Sequence, residues 1–508
     1  MLRRLERPDF HIDEKDAAVR IADAEFPVPF AHRLEFNAPV HGTWNIVHIG
    51  LMVPECHQIY VCADNCMRGV VLTAAEMGAG DRFSSVLIEE NDLYDQNLET
   101  ITIEGVSDVI RRLPYRPRAV TVFLVCLHHF VGTDAAFVFK TLEERFPDID
   151  FMRCWMDPVM QKTGLTPEQK LKESMFRPVR PLPVDPGLVC VLGDNQALDP
   201  DSDIAQTVRK AGGRILQLND WKKHGERIGI SYLRKAVTDK EAQEAYSFMV
   251  PCENYDDYLR IGSAGLFITR SPLGVHGVYQ LAKRLGRPFL YLPPVCGEDR
   301  IRQELSKLRS TLRDNLQQTA VTAGTAGISG TAGTDAVEPD AAETDHLEGS
   351  IRDESSASKA LQHALGLIGD TEITIDYILN PRVLSLARRL LEAGFHVTRV
   401  YLDAILPEEE EDFLWLQKNC PDLILNATIH PKMRVLHNAE NEGKMLALGP
   451  KAAWFGGTAH FVNLVDYGGL WGDSGIEKLA ALMEDAWLHE KDTRSIVPRK
   501  GQGCACVL

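Results

Sequence analysis

The run Arg118-Ala-Val-Thr-Val-Phe-Leu-Val-Cys126 decides how this chain folds. It is apolar and β-branched with no polar alternation, which is the pattern of a strand covered on both faces, as in a parallel sheet. A loop, Leu127-His-His-Phe-Val-Gly-Thr-Asp134, follows, and helical spacing resumes over 134–146. Upstream, Ile103, Val106, Val109 and Ile110 predict a helix over 100–112. A second helix is predicted in Gly69–Gly78 and a short strand leading into a loop over 40–50. Strand, loop and helix in alternation define an α/β fold.

The pattern restarts twice. Gly187-Leu-Val-Cys-Val-Leu-Gly193 reads as a buried strand, then a helix near 203–213, then strands at 214–218, 264–269 and 287–293 around a helix from Val275 to Leu285. A third unit opens with Glu372-Ile-Thr-Ile-Asp376 and continues through 397–402, 423–425 and 452–455, all read as strands. The chain is thus expected to form three doubly wound parallel-sheet domains around a central cleft, at 1–183, 184–317 and 359–490. Residues 1–36 read as an amphipathic arm. Residues 318–358, rich in Ala, Gly, Thr and acids, are expected to be a disordered insertion, because they bury too little apolar surface to offset their ordering entropy. Residues 491–508 read as a flexible tail carrying Cys504 and Cys506; a prenylation box would need its cysteine at Ala505. The acid run Glu408–Asp412 reads as a solvated helix start.

The chain has 508 residues and a formal charge of −17, which argues against a nucleic-acid partner. No apolar run reaches membrane-spanning length and the N-terminus lacks a signal-peptide core, so the expected location is the cytoplasm. Disulfides are not expected there among the 11 cysteines. Cys154, Cys190, Cys252, Cys296 and Cys420 read as small buried hydrophobes. The chemistry concentrates elsewhere. Cys56-His-Gln-Ile-Tyr-Val-Cys62-Ala-Asp-Asn-Cys66 supplies three thiols within a short stretch, read as a loop, and Cys126 closes the buried strand. Four sulfurs suit an iron–sulfur cluster or a structural zinc, or they simply line a core. Cys62, Cys66 and Cys126 form the expected metal-binding set, with Cys56 or a partner chain's ligand as the fourth. His128 and His129 adjoin Cys126, and His41, His48 and His57 fall on the same predicted rim, so a proton path there is conceivable. Arg270, Ser271, His460 and Asp466 could face the interdomain cleft. No Gly-x-x-x-x-Gly-Lys loop is present, so no nucleotide hydrolysis is expected.

The ordered set of motifs resembles component 1 of nitrogenase and its relatives, among them the dark-operative protochlorophyllide reductase subunits and the cofactor-assembly scaffolds. His48-Ile-Gly-Leu-Met-Val-Pro-Glu-Cys-His57 is similar to that family's His-Gly-Pro-x-Gly-Cys loop. Cys126-Leu-His-His-Phe-Val-Gly-Thr-Asp134 is similar to its Cys-(x)-Gly-Asp-Asp segment. Leu266–Ser271 with Leu285-Gly-Arg-Pro-Phe289 resembles the second-domain strand and its Gly-x-Pro ending. Leu446–Phe455 and Asp466–Gly475 resemble the end of the third domain. The resemblance implies a nitrogenase-like oxidoreductase subunit with a 4Fe-4S or P-cluster-like centre. It implies a homologous partner subunit in a homo- or hetero-oligomer, and electrons delivered by an ATP-dependent iron-protein-like reductase. The chain also departs from the family. Asn37 stands where a first cluster cysteine is usual, and Ile268 and Asn463 stand near the positions that hold the iron–molybdenum cofactor. No such cofactor and no nitrogen reduction is therefore expected, and a non-catalytic cofactor-assembly scaffold or a structural subunit is the alternative.

Overall fold

The computed structural model describes residues 17–30, 46–76, 78–94, 97–156, 165–219, 246–250, 252–325, 356–428 and 444–491. Asn37, His41, Cys504 and Cys506, and residues 326–355 of the expected insertion, lie outside these. Among the described residues, fifteen strands form three sheets. They are β1 (Ala18–Arg20), β2 (Cys56–Cys62), β3 (Phe83–Leu87), β4 (Ala119–Val125), β5 (Asp150–Met156), β6 (Asp185–Val191), β7 (Arg214–Gln217), β8 (Met249–Val250) and β9 (Ala264–Thr269). The remainder are β10 (Phe289–Tyr291), β11 (Glu372–Asp376), β12 (His396–Tyr401), β13 (Ile424–Asn426), β14 (Leu446–Leu448) and β15 (Phe461–Val462).

The first sheet runs β3-β2-β4-β5, all parallel. Chain order departs from spatial order at one place: β3 adds to one side of β2 and β4 to the other, so the winding reverses between β2 and β4. Such a switch point leaves a crevice outside the carboxyl ends of the two strands. Both strands are buried along their whole length. Tyr60 of β2 stacks on Phe123 of β4 at 4.1 Å and on Phe83 of β3 at 4.8 Å between ring centroids, so aromatic packing ties the three strands together.

The second sheet, β10-β9-β6-β7-β8, reverses between β6 and β9; the third, β1-β13-β12-β11-β14-β15, reverses between β11 and β14. Three parallel-sheet domains are therefore present, as the apolar runs predict. The third sheet gains one unexpected edge: β1 pairs antiparallel with β13, so this strand of the N-terminal stretch is part of the third sheet and not of the first. Ile21 and Ala24, just after it, are buried in the same core as Leu423 and Leu425.

Four local expectations need correction. Residues 46–51 form a helix, not a strand. Pro450–Gly456 is also helical: proline occupies its first turn, where no amide donor is needed, and Gly457 ends it at φ 66°. The helix Glu298–Thr325 carries regular backbone into the start of the expected insertion, and a helix begins again at Ser356. The acid run is not wholly solvated. Glu409 and Asp412 are buried; Glu409 Oε1 accepts from the Leu384 and Ser385 amides at 2.8 and 3.2 Å, and Asp412 pairs with Arg300, Arg382 and Arg388. Acidic side chains enter a core when each finds a hydrogen-bond or ionic partner, and these partners are remote in sequence.

No helix among the described residues is long and apolar enough to cross a membrane.

Candidate functional site

The first-domain switch point brings three thiols together. Cys62 is the last residue of β2. Pairing between β2 and β4 runs from Cys56 opposite Ala119 to Tyr60 opposite Phe123, and continuing it sets Cys62 opposite Val125. Cys126 comes next and opens the short helix Cys126–Phe130. Neighbouring strands lie about 5 Å apart, so these two residues are adjacent across the crevice. Ala63 alone separates β2 from the helix Asp64–Glu76, which carries Cys66 in its first turn. Cys62 is buried, Cys126 half-buried and Cys66 exposed, so the trio runs from the core to the rim.

The thiols sense one another. Burial pushes Cys62 up to about 12, with Cys66 and then Asp64 adding to the rise. Cys66 is raised by burial first and by Cys126 second. Negative charge on Cys62 and on Cys66 is thus disfavoured by a neighbouring sulfur, and a bound cation would reverse the sign of that coupling. Among the described residues, no three His, Cys, Asp or Glu side chains converge tightly enough to hold a single metal ion. An iron–sulfur cluster spreads its thiolates over several irons, and the donor set here is purely sulfur. The sulfur chemistry of the donor set is of the kind an iron–sulfur cluster takes.

Cys56 does not join them. The stretch from 56 to 62 is strand, not loop, and at about 3.3 Å per residue its two ends lie roughly 20 Å apart. Cys56 sits at the amino end, buried, with Sγ 3.0 Å from Thr121 Oγ1, and burial pushes its thiol up to about 11. The histidines also divide between the two ends. His57 lies near Cys56, with Nδ1 2.7 Å from Tyr115 OH and Nε2 2.8 Å from Ser84 Oγ. His128 is buried beside the trio, where Nε2 meets Thr102 Oγ1 at 3.2 Å and Nδ1 accepts from the Val125 amide at 3.2 Å. Burial lowers both imidazoles to about 4, so both are neutral at pH 7. The His129 ring stacks on Trp155 at 3.9 Å.

A second polar site lies at the switch point of the second sheet, where residues that follow β11 and β15 of the third sheet reach it. Asp194 follows β6 and Arg270 follows β9. The Arg270 amide donates to Asp194 Oδ1 at 3.1 Å and its Nε donates to Oδ2 at 3.3 Å, with both residues buried. Asn195 Nδ2 bridges Asp466 and Glu168 at 3.1 and 3.0 Å, and Glu168 pairs with Lys172 at 2.7 Å. Asp466 and Tyr467 adopt left-handed φ values of 48° and 58°, strained for residues with a side chain. The turn then passes so close to Ala197 that a Cβ on Gly469 would lie 1.9 Å from its carbonyl oxygen. Burial, and after it Glu168, pushes Asp466 up to about 6. Arg270, Ser271 and Asp466 do line this narrow cavity, which has room for about one water molecule. His460 does not: its Nδ1 meets the Ala486 carbonyl at 3.0 Å and its ring lies near Trp487. Ile268 is buried within β9, and no thiol or imidazole lines the cavity. Sequence reasoning missed Glu168, Lys172, Asp194 and Asn195. The one local signal was Gly193-Asp-Asn-Gln directly after a strand.

Comparison with known proteins agrees with this architecture. A solved structure described as nitrogenase Cp1 at pH 6.5 superposes with a TM-score of 0.55 and 11% identity, covering 87% of this chain and 91% of that one. A second, nitrogenase Cp1 at pH 5, gives 0.53 and 11%, covering 95% and 96%. The chain has a nitrogenase-like fold. No family model matches the sequence, and no curated protein matches it.

Proposed function

We propose that the chain is one subunit of a nitrogenase-like oxidoreductase in which Cys62, Cys66 and Cys126 hold an iron–sulfur cluster, four-iron or P-cluster-like. The observation that carries this reading is the meeting of three thiols at the β2–β4 crossover, where open α/β sheets bind ligands. When bound, the cluster would supply one-electron transfer between an ATP-dependent iron-protein-like reductase and a substrate. The chain's own part is to fix the sulfurs: β2 and β4 clamp Cys62 and Cys126 through the Tyr60–Phe123 stack, and the helix start presents Cys66. His128, neutral and tied to the strand end, would set the orientation of the Cys126 turn. The exposed side of the trio leaves room for a fourth ligand from a homologous partner subunit. The expected setting is the cytoplasm.

Anaerobic purification with iron and sulfide analysis tests the proposal. Iron and sulfide should copurify, with absorption near ~400 nm from thiolate-to-iron charge transfer. Cys62→Ser, Cys66→Ser and Cys126→Ser should each lose most of the iron, and Cys56→Ser should keep it. Iron-free protein from anaerobic cells, or equal loss in all four variants, would sink it.

A scaffold on which a metallocofactor is built and handed on is the second reading. It is favoured by the junction cavity, which is narrow and lined by Asp, Asn, Gln, Arg, Ser and Pro without a soft metal ligand. Substrate turnover with a cognate reductase separates the two: a scaffold shows none.

A further inference from the structure

A cleft of about 900 Å³ opens on a different face, between β5, the helix Pro167–Ser174 with the residues after it, and the helix Val275–Leu285. That is the size of clefts that hold small ligands. The protein carries a net charge of −17, yet this one wall gathers Arg153, Lys170, Arg177, Arg180 and Arg284. Only three carboxylates share it. Two of them are engaged: Asp150 accepts from Tyr255 OH at 2.8 Å, and Glu173 lies 3.1 Å from His276 Nε2.

The guanidinium groups turn to backbone carbonyls. Arg153 Nη2 donates to Ala135 at 3.3 Å, and Arg284 donates to Phe176 and Arg177 at 2.5 and 3.2 Å. Arg180 also donates to the Arg177 carbonyl. Arg153 Nε is buried without a partner. Arg153 and Arg284 are both held below the ordinary guanidinium value, by burial first. Facing arginines come next: Arg177 for Arg153, and Arg180 with Arg177 for Arg284. Like charges crowded in a concave wall repel, and an acidic protein has ample carboxylates with which to neutralise them.

We propose that this cleft is a binding site for a small phosphate-bearing polyanion, gripped by Arg153, Arg177, Arg180 and Arg284 with Lys170 at its edge. Guanidinium forks match phosphate oxygens two at a time, and several forks facing one cavity select a group with several oxygens. The enclosing strand and helices limit the occupant to a small molecule. The site is independent of the thiol trio, and binding there involves no redox step.

Isothermal titration calorimetry of the full chain with pyrophosphate, and separately with ATP, tests the proposal. Saturable one-to-one binding is expected, weakening as salt rises. Arg177→Ala and Lys170→Ala should each lower affinity about tenfold, the effect of removing one charge-assisted contact. Among the described residues neither side chain makes a hydrogen bond or an ion pair, so the melting temperature of the free protein should not fall. Lys283→Ala, elsewhere on the same helix as Arg284, should leave affinity unchanged. ATP binding tighter than pyrophosphate would assign a nucleotide, and equal binding the phosphate groups alone. Absence of saturable binding up to roughly 10 mM, or equal binding in wild type and the Lys170→Ala/Arg177→Ala double variant, would overturn the proposal. So would binding of polyglutamate in place of both phosphates, since the cleft would then be a protein-docking face.

Discussion

Cys62 ends β2 and Cys126 directly follows the end of its parallel neighbour β4, at the place where the first sheet reverses its winding. The two strands are wholly buried and paired from Cys56 opposite Ala119 to Tyr60 opposite Phe123, so the sheet delivers the two residues to the same end of the crevice. Cys66 rides on a helix and reaches the exposed rim. A ligand entering the crevice would meet the exposed sulfur first and the buried one last.

That gradient predicts thiol reactivity in metal-free protein. The thiolate is the nucleophile, so burial protects a cysteine twice, by blocking access and by raising its pKa. At pH 7.5, iodoacetamide followed by peptide mass spectrometry should mark Cys66 and Cys126 early. It should leave Cys62, pushed up to about 12, and Cys56, pushed up to about 11, unmarked. Reconstitution with iron and sulfide should protect Cys66 and Cys126 together. Labelling of Cys62 as fast as Cys66 would contradict the geometry.

Glu409 predicts a loss of stability on the alkaline side. Burial pushes its carboxyl up to about 8 from an ordinary 4.5, although Arg382 opposes the shift. A folded-state pKa above the unfolded one favours folding fully below the unfolded pKa, and that advantage is lost as pH rises through the folded pKa. The window is therefore pH 4.5 to 8. The neutral His57 and His128, lowered to about 4, act in the opposite sense: their contribution is intact above 6.5 and lost as pH falls toward 4. Between pH 6.5 and 8.5 the carboxyl dominates, and urea unfolding should show a drop of about 2 kcal/mol. Glu409→Gln keeps the acceptor for the Leu384 and Ser385 amides and should flatten that drop.

Lys172 and Glu168 form an ion pair 2.7 Å long with side chains 0% and 2% exposed. The pair lies behind Asn195 and Asp466 at the junction of the sheets. Breaking such a pair from one side strands the other charge in a poorly solvated core. Lys172→Met should cost about 3–5 kcal/mol. Adding Glu168→Gln should recover a large part of it, because the uncompensated charge goes. A double-mutant cycle by chemical denaturation measures the coupling, and a coupling near zero would mean that water reaches the site.

The sheets could be read directly because β4, β6 and β9 carry continuous apolar runs, a pattern set by burial on both faces and carried by adjacent residues, and because Ile373-Thr-Ile375 in β11 is a β-branched run. The same rule hid β2. His57 and Gln58 interrupt its apolar run, and only the structure supplies their partners: Tyr115, Ser84 and the Val47 carbonyl. Read as loop, the stretch drew Cys56 toward Cys62; as strand, it holds them at opposite ends. The expected grouping of Cys62, Cys66 and Cys126 rests on one pair close in sequence and a third residue that follows a recognisable strand. The junction network could not be read this way, since Asn195 and Asp466 are 271 positions apart and nothing local to either specifies the other. The edge strand β1 escaped for the same reason, as its partner β13 lies in the last third of the chain.

Gly277 tests how closely the first two units are joined. It lies on the helix Val275–Leu285 where that helix crosses Pro167–Ser174, and a Cβ there would stand 2.8 Å from the Glu173 amide and from the Lys172 carbonyl group. Those contacts are backbone, which cannot swing aside as a side-chain tip can. Gly277→Ala adds helix propensity, worth roughly 1 kcal/mol in an open helix, but it must push two helices apart and disturb the Glu168–Lys172 pair beneath them. Overpacking of this kind costs about 1–3 kcal/mol, so the net result should be destabilisation despite the better helix former. Gly286→Ala provides the control: its methyl would meet open space, and its cost should come only from the left-handed φ of 65°. Gly277→Ala alone should also reduce the affinity of the adjoining basic cleft for pyrophosphate, because Arg284 is carried on the helix that moves. A stabilised Gly277→Ala variant with unchanged cleft binding would show that the two helices have slack the structure does not display.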